Sequence, residues 1–321
     1  MAQNFYDVFN GDADGICALH QLRLAEPRPE AELVTGVKRD IRLLRKIDPQ
    51  PGAGITVLDI SMDSNKEDLI RLLVACSVFY VDHHFAGDIP GIDRLEAHID
   101  PSPDVCTSLI VDRLLKGRYR TWAVVAAFGD NLHETAVQAS RGLGLSADQL
   151  AQLKELGELM NYNGYGKTVA DLHFAPEILY KAVQPYEDPL EFYIHSTELL
   201  RLREGFADDM EKARAGGLFQ EYPAGRVFMF PGDPWARRVA GVFINEKARE
   251  MEDQAHALIV DNNDGTLMIS VRAPLSRKTG ADNLCRLFPT GGGRAAAAGI
   301  NALPQDRMEL FLRSFSEVFH P

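Results

Sequence analysis

The chain has 321 residues, of which 45% are hydrophobic and 25% charged, and this length and composition are typical of a globular protein with two domains. Its formal net charge of −12 opposes non-specific binding of long nucleic acids, which depends on Lys and Arg. No apolar stretch is long enough to span a bilayer, and no basic segment followed by an apolar run opens the chain, so a cytoplasmic protein is expected. None of the four cysteines forms a C-x-x-C pair, which argues against a structural zinc site.

The first 130 residues alternate short apolar runs with amphipathic segments. This pattern predicts strands over 5–9, 55–60 and 78–81, and helices over 15–25 and 64–75. Strands that alternate with helices indicate a parallel sheet, and ligands of such sheets bind beyond the carboxyl ends of the strands.

The remainder of the chain predicts a helical middle and a smaller α/β domain. One long helix is expected over 190–215, ending at Gly216 and Gly217. Further on, the predicted strands are 226–230, 256–260 and 267–271, and the predicted helices are 235–252, 281–287 and 307–319. We therefore expect an α/β protein with a catalytic domain over 1–188, a helical linker over 189–216 and a substrate-binding domain over 217–321.

Chemistry-bearing residues follow the first predicted strand. Asn10 precedes two carboxylates, Asp12 and Asp14, and Gly11 and Gly15 allow the chain a tight path. Carboxylates packed this closely repel each other unless a cation lies between them, and a divalent metal is the natural partner. The alternative is a solvated Asp-rich turn.

Three further motifs end later elements of the same region. Asp59 ends an apolar strand, where it could also cap the next helix. Asp82, His83 and His84 follow the third strand and supply ligands suited to Mn²⁺, Zn²⁺ or Fe²⁺; two histidines on the surface are the alternative. Asp130 follows an apolar helix and could be a ligand or a cap. Taken together, the four motifs favour one metal site.

These motifs, in this order, resemble those of the DHH phosphoesterase superfamily. The matching residues are Asp12-Ala13-Asp14-Gly15, Asp59, Asp82-His83-His84 and Gly129-Asp130. In the last third of the chain, Gly291-Gly292-Gly293-Arg294 resembles the GGGH segment of the associated DHHA1 domain, and Arg272 its substrate-binding arginine. The family includes RecJ-like exonucleases and oligoribonuclease/pAp phosphatases.

The resemblance implies two ions, Mn²⁺ or Mg²⁺, and a role for each matching residue. One ion would be held by Asn10, Asp12 and Asp59, and the other by Asp14, Asp59, His83 and Asp130. His84 would face the phosphate, and Asp82 would orient a histidine. Substrate would be bound by Arg272, Gly291, Gly292, Gly293 and Arg294, with the glycine run as a flexible cup for an oxyanion.

Two departures from the family keep alternatives open. Asn10 stands where His is usual, which favours a hard ion there, and Arg294 replaces the last His of GGGH. The sequence therefore predicts a phosphoesterase for short nucleotides, such as oligonucleotides, pAp or cyclic dinucleotides. A non-catalytic sensor or scaffold of the same fold is the alternative, and a haloacid-dehalogenase-type phosphatase is a weaker one because it gives His83 and His84 no role. The oligomeric state is open, with a homo-oligomer among the options.

Overall fold

The computed structural model describes residues 4–320, and these form two compact units, Met1–Glu204 and Gly205–Pro321. The boundary lies within a helix, so it differs in position from the predicted divisions at 188 and 216, which stay predictions. No helix in the described part of the chain combines the length and the apolar character needed to cross a membrane.

The first unit contains a five-stranded parallel sheet with strand order β2-β1-β3-β4-β5. Its elements in chain order are β1 Phe5–Phe9, α1 Ala13–Ala25, β2 Glu32–Val34, β3 Gly54–Leu58, α2 Lys66–Leu73, β4 Ser77–Asp82 and β5 Leu95–Ile99. The central strands form because most of their residues are apolar, and every residue of β3 is buried. The pattern predicted β1, β3 and β4, but it missed β2, which has only three residues, and the mixed polar sequence of β5.

Helices complete the first unit. They are α3 Thr107–Leu114, α4 Arg120–Gly129, α5 His133–Ala139, α6 Ala147–Asn163, α7 Pro176–Val183, α8 Pro189–His195 and α9 Thr197–Ala215. The prediction of one helix over 190–215 is wrong. Ser196 has an extended backbone (ψ 124°) and its Oγ accepts a hydrogen bond from the N–H of Leu199 at 3.1 Å, so it ends α8 and caps α9.

The second unit is a mixed six-stranded sheet with strand order β10-β11-β9-β8-β7-β6. Its elements are β6 Leu218–Tyr222, β7 Gly225–Phe230, α10 Pro234–Glu250, β8 Ala255–Asp261, β9 Thr266–Arg272, α11 Ala281–Cys285, β10 Gly291–Arg294, β11 Ala297–Pro304 and α12 Met308–Val318. Only β7 and β8 pair in parallel. The chain therefore has the α/β architecture expected of it, with a parallel sheet followed by a smaller α/β unit.

Candidate metal centre

The carboxyl ends of three neighbouring strands place the predicted ligands at one edge of the first sheet. Phe9 pairs with Leu58, and Leu58 with Val81, so Asn10, Asp59 and Asp82 are the next residues along three adjacent strands. The N–H of Asn10 donates to Leu58 O (3.2 Å), and the N–H of Asp59 donates to Val81 O (3.1 Å). The parallel register thus converts residues far apart in the chain into neighbours.

Asp12 and Asp14 lie at the start of α1 and are both buried. Asp12 caps the helix, with Oδ1 accepting from the N–H of Gly15 at 3.1 Å. Asp14 is held from a different helix, because its two carboxylate oxygens accept from the N–H groups of Thr107 and Ser108 at 2.7 Å each. These are the first residues of α3, so the free N–H groups of a helix N-terminus orient this carboxylate.

The glycines of this turn are required for space. A Cβ on Gly15 would lie 2.2 Å from the carbonyl oxygen of Asn10, and one on Gly11 would lie 2.0 Å from that of Gly36. Neither glycine has a positive φ. Any larger residue would therefore push the chain away from the path that presents Asp12 and Asp14.

His83 presents one ring nitrogen to the carboxylates. Its Nδ1 donates to the carbonyl of Val105 at 2.8 Å, which leaves Nε2 as the nitrogen available to a metal ion. Nε2 lies 3.4 Å from Asp59 Oδ1 and 3.7 Å from Asp130 Oδ2. A backbone carbonyl that fixes the tautomer in this way is the usual second partner of a metal-binding histidine.

Asp82 orients His84. The fully buried Asp82 accepts through Oδ1 from His84 Nδ1 at 2.7 Å and from the N–H of His83 at 2.9 Å. The His84 side chain is 41% exposed, so its other nitrogen is accessible to a ligand. Asp82 thus acts on His84, while Val105 positions His83.

Two groups of ligand atoms in the described residues lie within 4.8 Å of one another: Asp59, His83 and His84, and Asp14, His83 and Asp130. Together they include all four residues implied for one ion. Asp12, implied for the other, belongs to neither group. The structure therefore brings the predicted ligands of one ion together around His83. The carboxylate of Asp12 instead contacts a lysine.

This lysine is Lys38, which the sequence analysis missed. Lys38 Nζ lies 2.5 Å from Asp12 Oδ2, 3.1 Å from Asp130 Oδ1 and 2.8 Å from Asn161 Oδ1. The signal that could have found it is its position, four residues after β2, at the same edge of the sheet. Because β2 is so short, this strand end was not recognised. Asn161 lies in α6, and no pattern in the sequence distinguishes it.

Burial and mutual repulsion dominate the electrostatics of the centre. Burial and the charges of Asp12 and Asp14 hold the pKa of Asp59 well above its usual range. Burial, then the charge of Asp130, raises the pKa of Asp14 to about 6. Burial opposes protonation of His83, but its hydrogen bond to Asp59 and the nearby carboxylates outweigh this and raise its pKa to about 10. Such a centre attracts cations.

Asp12 behaves differently because of its partner. Burial raises the pKa of Asp12, but the charge and the hydrogen bond of Lys38 outweigh it and lower the pKa below its usual value. The reverse holds for the ammonium: burial disfavours its charge, yet Asp12 raises the pKa of Lys38 well above the usual range. The two form an ion pair between a half-buried lysine and a buried aspartate inside the centre.

The predicted substrate residues lie together in the second unit. Arg272 of β9 pairs with Ala297 of β11, which pairs with Arg294 of β10. Arg272 Nε donates to Asn245 Oδ1 at 2.7 Å. The same row continues through His256 of β8 to Arg226 of β7, neither of which was predicted.

The expectation that the glycine run is a flexible cup is wrong. Residues Gly291–Arg294 form β10, the edge strand of the second sheet, paired antiparallel with β11. A Cβ on Gly291 would lie 1.8 Å from the carbonyl oxygen of Cys285, and Gly293 has φ +137°. Close packing and backbone shape, not mobility, therefore account for these two glycines.

No family model and no curated protein matches the sequence, but solved structures match its fold. The exonuclease RecJ bound to manganese has a TM-score of 0.62 at 16% identity, covering 99% of this chain and 91% of that one. RecJ from Thermus thermophilus with Mn²⁺ has a TM-score of 0.65 at 17% identity; the match covers 98% of this chain but only 52% of the RecJ chain.

A third match covers nearly the whole of both chains. The pGpG-specific phosphodiesterase PggH from Vibrio cholerae has a TM-score of 0.56 at 12% identity, and 98% of each chain is covered. At sequence identities this low, a structural match is evidence of a shared fold and not of a shared activity. With its parallel sheet, its smaller mixed sheet and these structural neighbours, the chain has the DHH/DHHA1 fold.

Proposed function

We propose that the protein is a metal-dependent phosphoesterase that hydrolyses a phosphodiester or phosphomonoester of a short nucleotide. The observation that carries this proposal is that ligand atoms of Asp14, Asp59 and Asp130 all lie close to the ring of His83. Three carboxylates and one imidazole form a donor set that suits Mn²⁺ and also accepts Mg²⁺.

The residues fit such an ion because the centre is prepared for a positive charge. His83 Nε2 faces Asp59 and Asp130 and would give up its proton when a metal ion binds, while N–H donors fix Asp14 in place. Buried carboxylates that repel one another are stabilised when a cation shares them. A bound divalent ion would lower the pKa of a water molecule and polarise the phosphoryl oxygen.

His84 and Asp82 supply the remaining chemistry at this centre. Asp82 holds the Nδ1–H of His84, so the accessible Nε2 is the atom that would meet the substrate. From this position His84 could donate a hydrogen bond to a phosphoryl oxygen or a proton to the leaving oxygen. We therefore keep the roles that the resemblance implies, phosphate contact for His84 and orientation for Asp82.

The second unit would hold the anionic end of the substrate. Arg272 and Arg294 face the same row of the sheet, and their guanidinium groups suit phosphate. Gly291, Gly292 and Gly293 offer an edge strand without side chains. The names of the structural neighbours include an exonuclease and a pGpG phosphodiesterase, and the net charge of −12 favours a short substrate over a long strand.

A non-catalytic nucleotide or metal sensor of the same fold is the second candidate. Asn10 favours it, because a neutral amide replaces a ligand usual in the family, and its Oδ1 has no hydrogen-bond partner among the described residues. Such a protein would bind Mn²⁺ and nucleotide without turnover. A panel of substrates separates the two candidates.

The test is hydrolysis by the purified full-length chain with Mn²⁺ or Mg²⁺. The panel consists of pAp, pGpG, di- to pentanucleotides, cyclic dinucleotides and long single-stranded DNA. We expect turnover of one short class, its loss in chelator, and its loss in His83→Ala but not in the control Asp88→Asn, an exposed carboxylate. Full activity in excess chelator would refute the metal mechanism. A preference for long DNA would refute the argument for a short substrate. Binding of nucleotide without turnover would favour the sensor.

A further inference from the structure

The side chain of Lys38 has a defined set of hydrogen-bond acceptors inside the candidate metal centre. Its three contacts, to Asp12 Oδ2 at 2.5 Å, to Asn161 Oδ1 at 2.8 Å and to Asp130 Oδ1 at 3.1 Å, match the three N–H donors of an ammonium group. All three acceptors belong to buried or half-buried residues. The ammonium is therefore fully satisfied in this position.

The backbone of Lys38 is held from two sides. Its N–H donates to the carbonyl of Gly164 at 2.9 Å, and its carbonyl accepts from Asn10 Nδ2 at 3.3 Å. The residue is thus tied both to the turn after β1 and to the end of α6. The position of the ammonium is therefore set by the backbone of Lys38 as well as by the rotamer of its side chain.

The Lys38 ammonium contacts the carboxylate of Asp12, which a second metal ion would need as a ligand. Asp12 Oδ1 accepts from the N–H of Gly15 and Oδ2 contacts the ammonium, so both oxygens have a partner. A divalent ion bound through the same oxygen would lie within a few ångströms of the ammonium. Two cations at such a distance repel each other strongly in a buried site.

Resting on the proposed function, we propose that Lys38 takes the place of one of the two ions that the fold family implies. The chain then binds a single divalent ion at Asp14, Asp59, His83 and Asp130. The Lys38 ammonium supplies the second positive charge, shared between Asp12 and Asp130. This charge is permanent, and it cannot polarise a water molecule as a metal does.

Asn10 fits the same arrangement. Its Nδ2 is used by the Lys38 carbonyl, while Oδ1 has no partner in the described part of the chain. Removing the ammonium would release Asp12 Oδ2, so that the oxygens of Asn10, Asp12 and Asp59 could together accept a divalent ion. Lys38→Met should therefore create the second site.

The experiment counts Mn²⁺ ions bound to metal-stripped full-length protein, by calorimetric titration and by electron paramagnetic resonance. We expect one ion per chain in the wild type, with the spectrum of isolated Mn²⁺. Lys38→Met should bind two ions and show the exchange-coupled spectrum of a manganese pair, while Lys38→Arg should keep one. The matched control is Lys46→Met, which removes a nearby lysine whose Nζ contacts Asp40 at 2.8 Å.

Two manganese ions in the wild type, or one in Lys38→Met, would overturn the inference. If Lys38→Met does not fold, the wild-type count and its spectrum at rising Mn²⁺ concentrations decide the question. Failure of the wild type and every variant to bind any ion would instead refute the proposed function on which the inference rests. The two failures are therefore distinguishable.

Discussion

Asp59 adopts a left-handed backbone conformation, with φ +57°, which is uncommon for residues other than glycine, asparagine and aspartate. This turn aims its carboxylate at His83, and the strained position is found directly beside the candidate metal centre. Strain retained at a site usually serves function rather than stability. The same residue is buried among like charges, which also lowers stability.

We expect Asp59→Asn to stabilise the metal-free protein and to abolish its response to metal. Asparagine keeps the shape and tolerates the positive φ, while the change removes one of several repelling carboxylates. The free energy of unfolding in chelator should rise by about 1 kcal/mol, which raises Tm by about 2–4 °C. Added Mn²⁺ should no longer raise Tm.

Thermal melts in chelator and in Mn²⁺ measure both effects. Asp88→Asn, which removes an exposed carboxylate, should leave both melts as in the wild type. A lower Tm in chelator for Asp59→Asn would contradict the view that repulsion at this position destabilises the fold.

His20 makes the stability of the fold depend on pH. It is buried, its ring lies edge-on to Trp122, and its Nε2 donates to the carbonyl of Tyr186 at 2.7 Å. Burial, opposed in part by that hydrogen bond, lowers its pKa to about 4. The unfolded chain takes up the proton near pH 6.5, so the stability from neutral His20 is present above pH 6.5 and is lost as the pH falls towards 4.

His20→Gln should therefore reduce the loss of stability between pH 7 and pH 5 by about 2 kcal/mol. Denaturant unfolding of both proteins at the two pH values measures this difference, and other titrating groups cancel in the comparison. The control is His195→Gln, a side chain 60% exposed, which should leave the pH dependence unchanged. An equal loss in His20→Gln and wild type would show that His20 does not contribute.

At the scale of elements, the N-terminus of α3 acts as the support of Asp14. The N–H groups of Thr107 and Ser108 hold its two oxygens, and the residue before them, Cys106, has an extended backbone. Proline is favoured at the first position of a helix and after an extended residue. One of the two donors can therefore be deleted while the helix remains.

Thr107→Pro should raise the Kd for Mn²⁺ by about tenfold, because groups that orient a ligand contribute about 10–100-fold to metal affinity. Calorimetric titration measures the change, and circular dichroism verifies that helix content is unchanged. Thr107→Val retains the N–H and removes only the hydroxyl that lies 3.4 Å from Asp59, so its Kd should stay close to that of the wild type. Equal Kd values for Thr107→Pro and the wild type would show that Asp14 needs no such support.

The strand ends explain how much of the candidate centre could be predicted. Apolar runs at β1, β3 and β4 are strong signals, and parallel pairing brings the residues after them to one edge; hence Asp12, Asp59 and His83 were predicted together. Lys38 follows a strand of three residues, too short to leave a periodic signal. Ser196, which divides the predicted long helix, acts through a local hydrogen bond that competes with the helical pattern.

At the scale of the whole molecule, the first unit is proposed to carry the metal ion and the second to bind the substrate. A substitution of Arg272 tests the role of the second unit. Arg272→Ala should mainly raise KM, by about tenfold or more, and leave kcat close to wild type, because a grip on a distant part of the substrate contributes equally to ground and transition states. Steady-state kinetics on the best substrate measure both constants. Arg286→Ala, an exposed arginine of the same unit, is the control.

A fall in kcat equal to that in kcat/KM would instead mean that the guanidinium contacts the phosphoryl group under attack. The sheet row that contains Arg272 and Arg294 could not be predicted, because β10 and β11 consist of glycine, alanine and arginine in the segment that pairs, apart from Ile300. Such residues carry little intrinsic strand preference. Long-range pairing, not local sequence, makes them a strand.

The distribution of the proposed metal ligands along the chain also has a consequence for the folding reaction. Asp14 lies in α1, Asp59 and His83 follow β3 and β4, and Asp130 ends α4, so no two ligands share one turn of backbone. The unfolded chain therefore does not bring these four residues together around one Mn²⁺ ion. The ion meets its site only after the sheet has paired, and it should slow unfolding without accelerating refolding. At about 100 times Kd, the expected stabilisation of about 2.7 kcal/mol should appear as an unfolding rate about 100-fold slower, with a refolding rate unchanged in stopped-flow measurements.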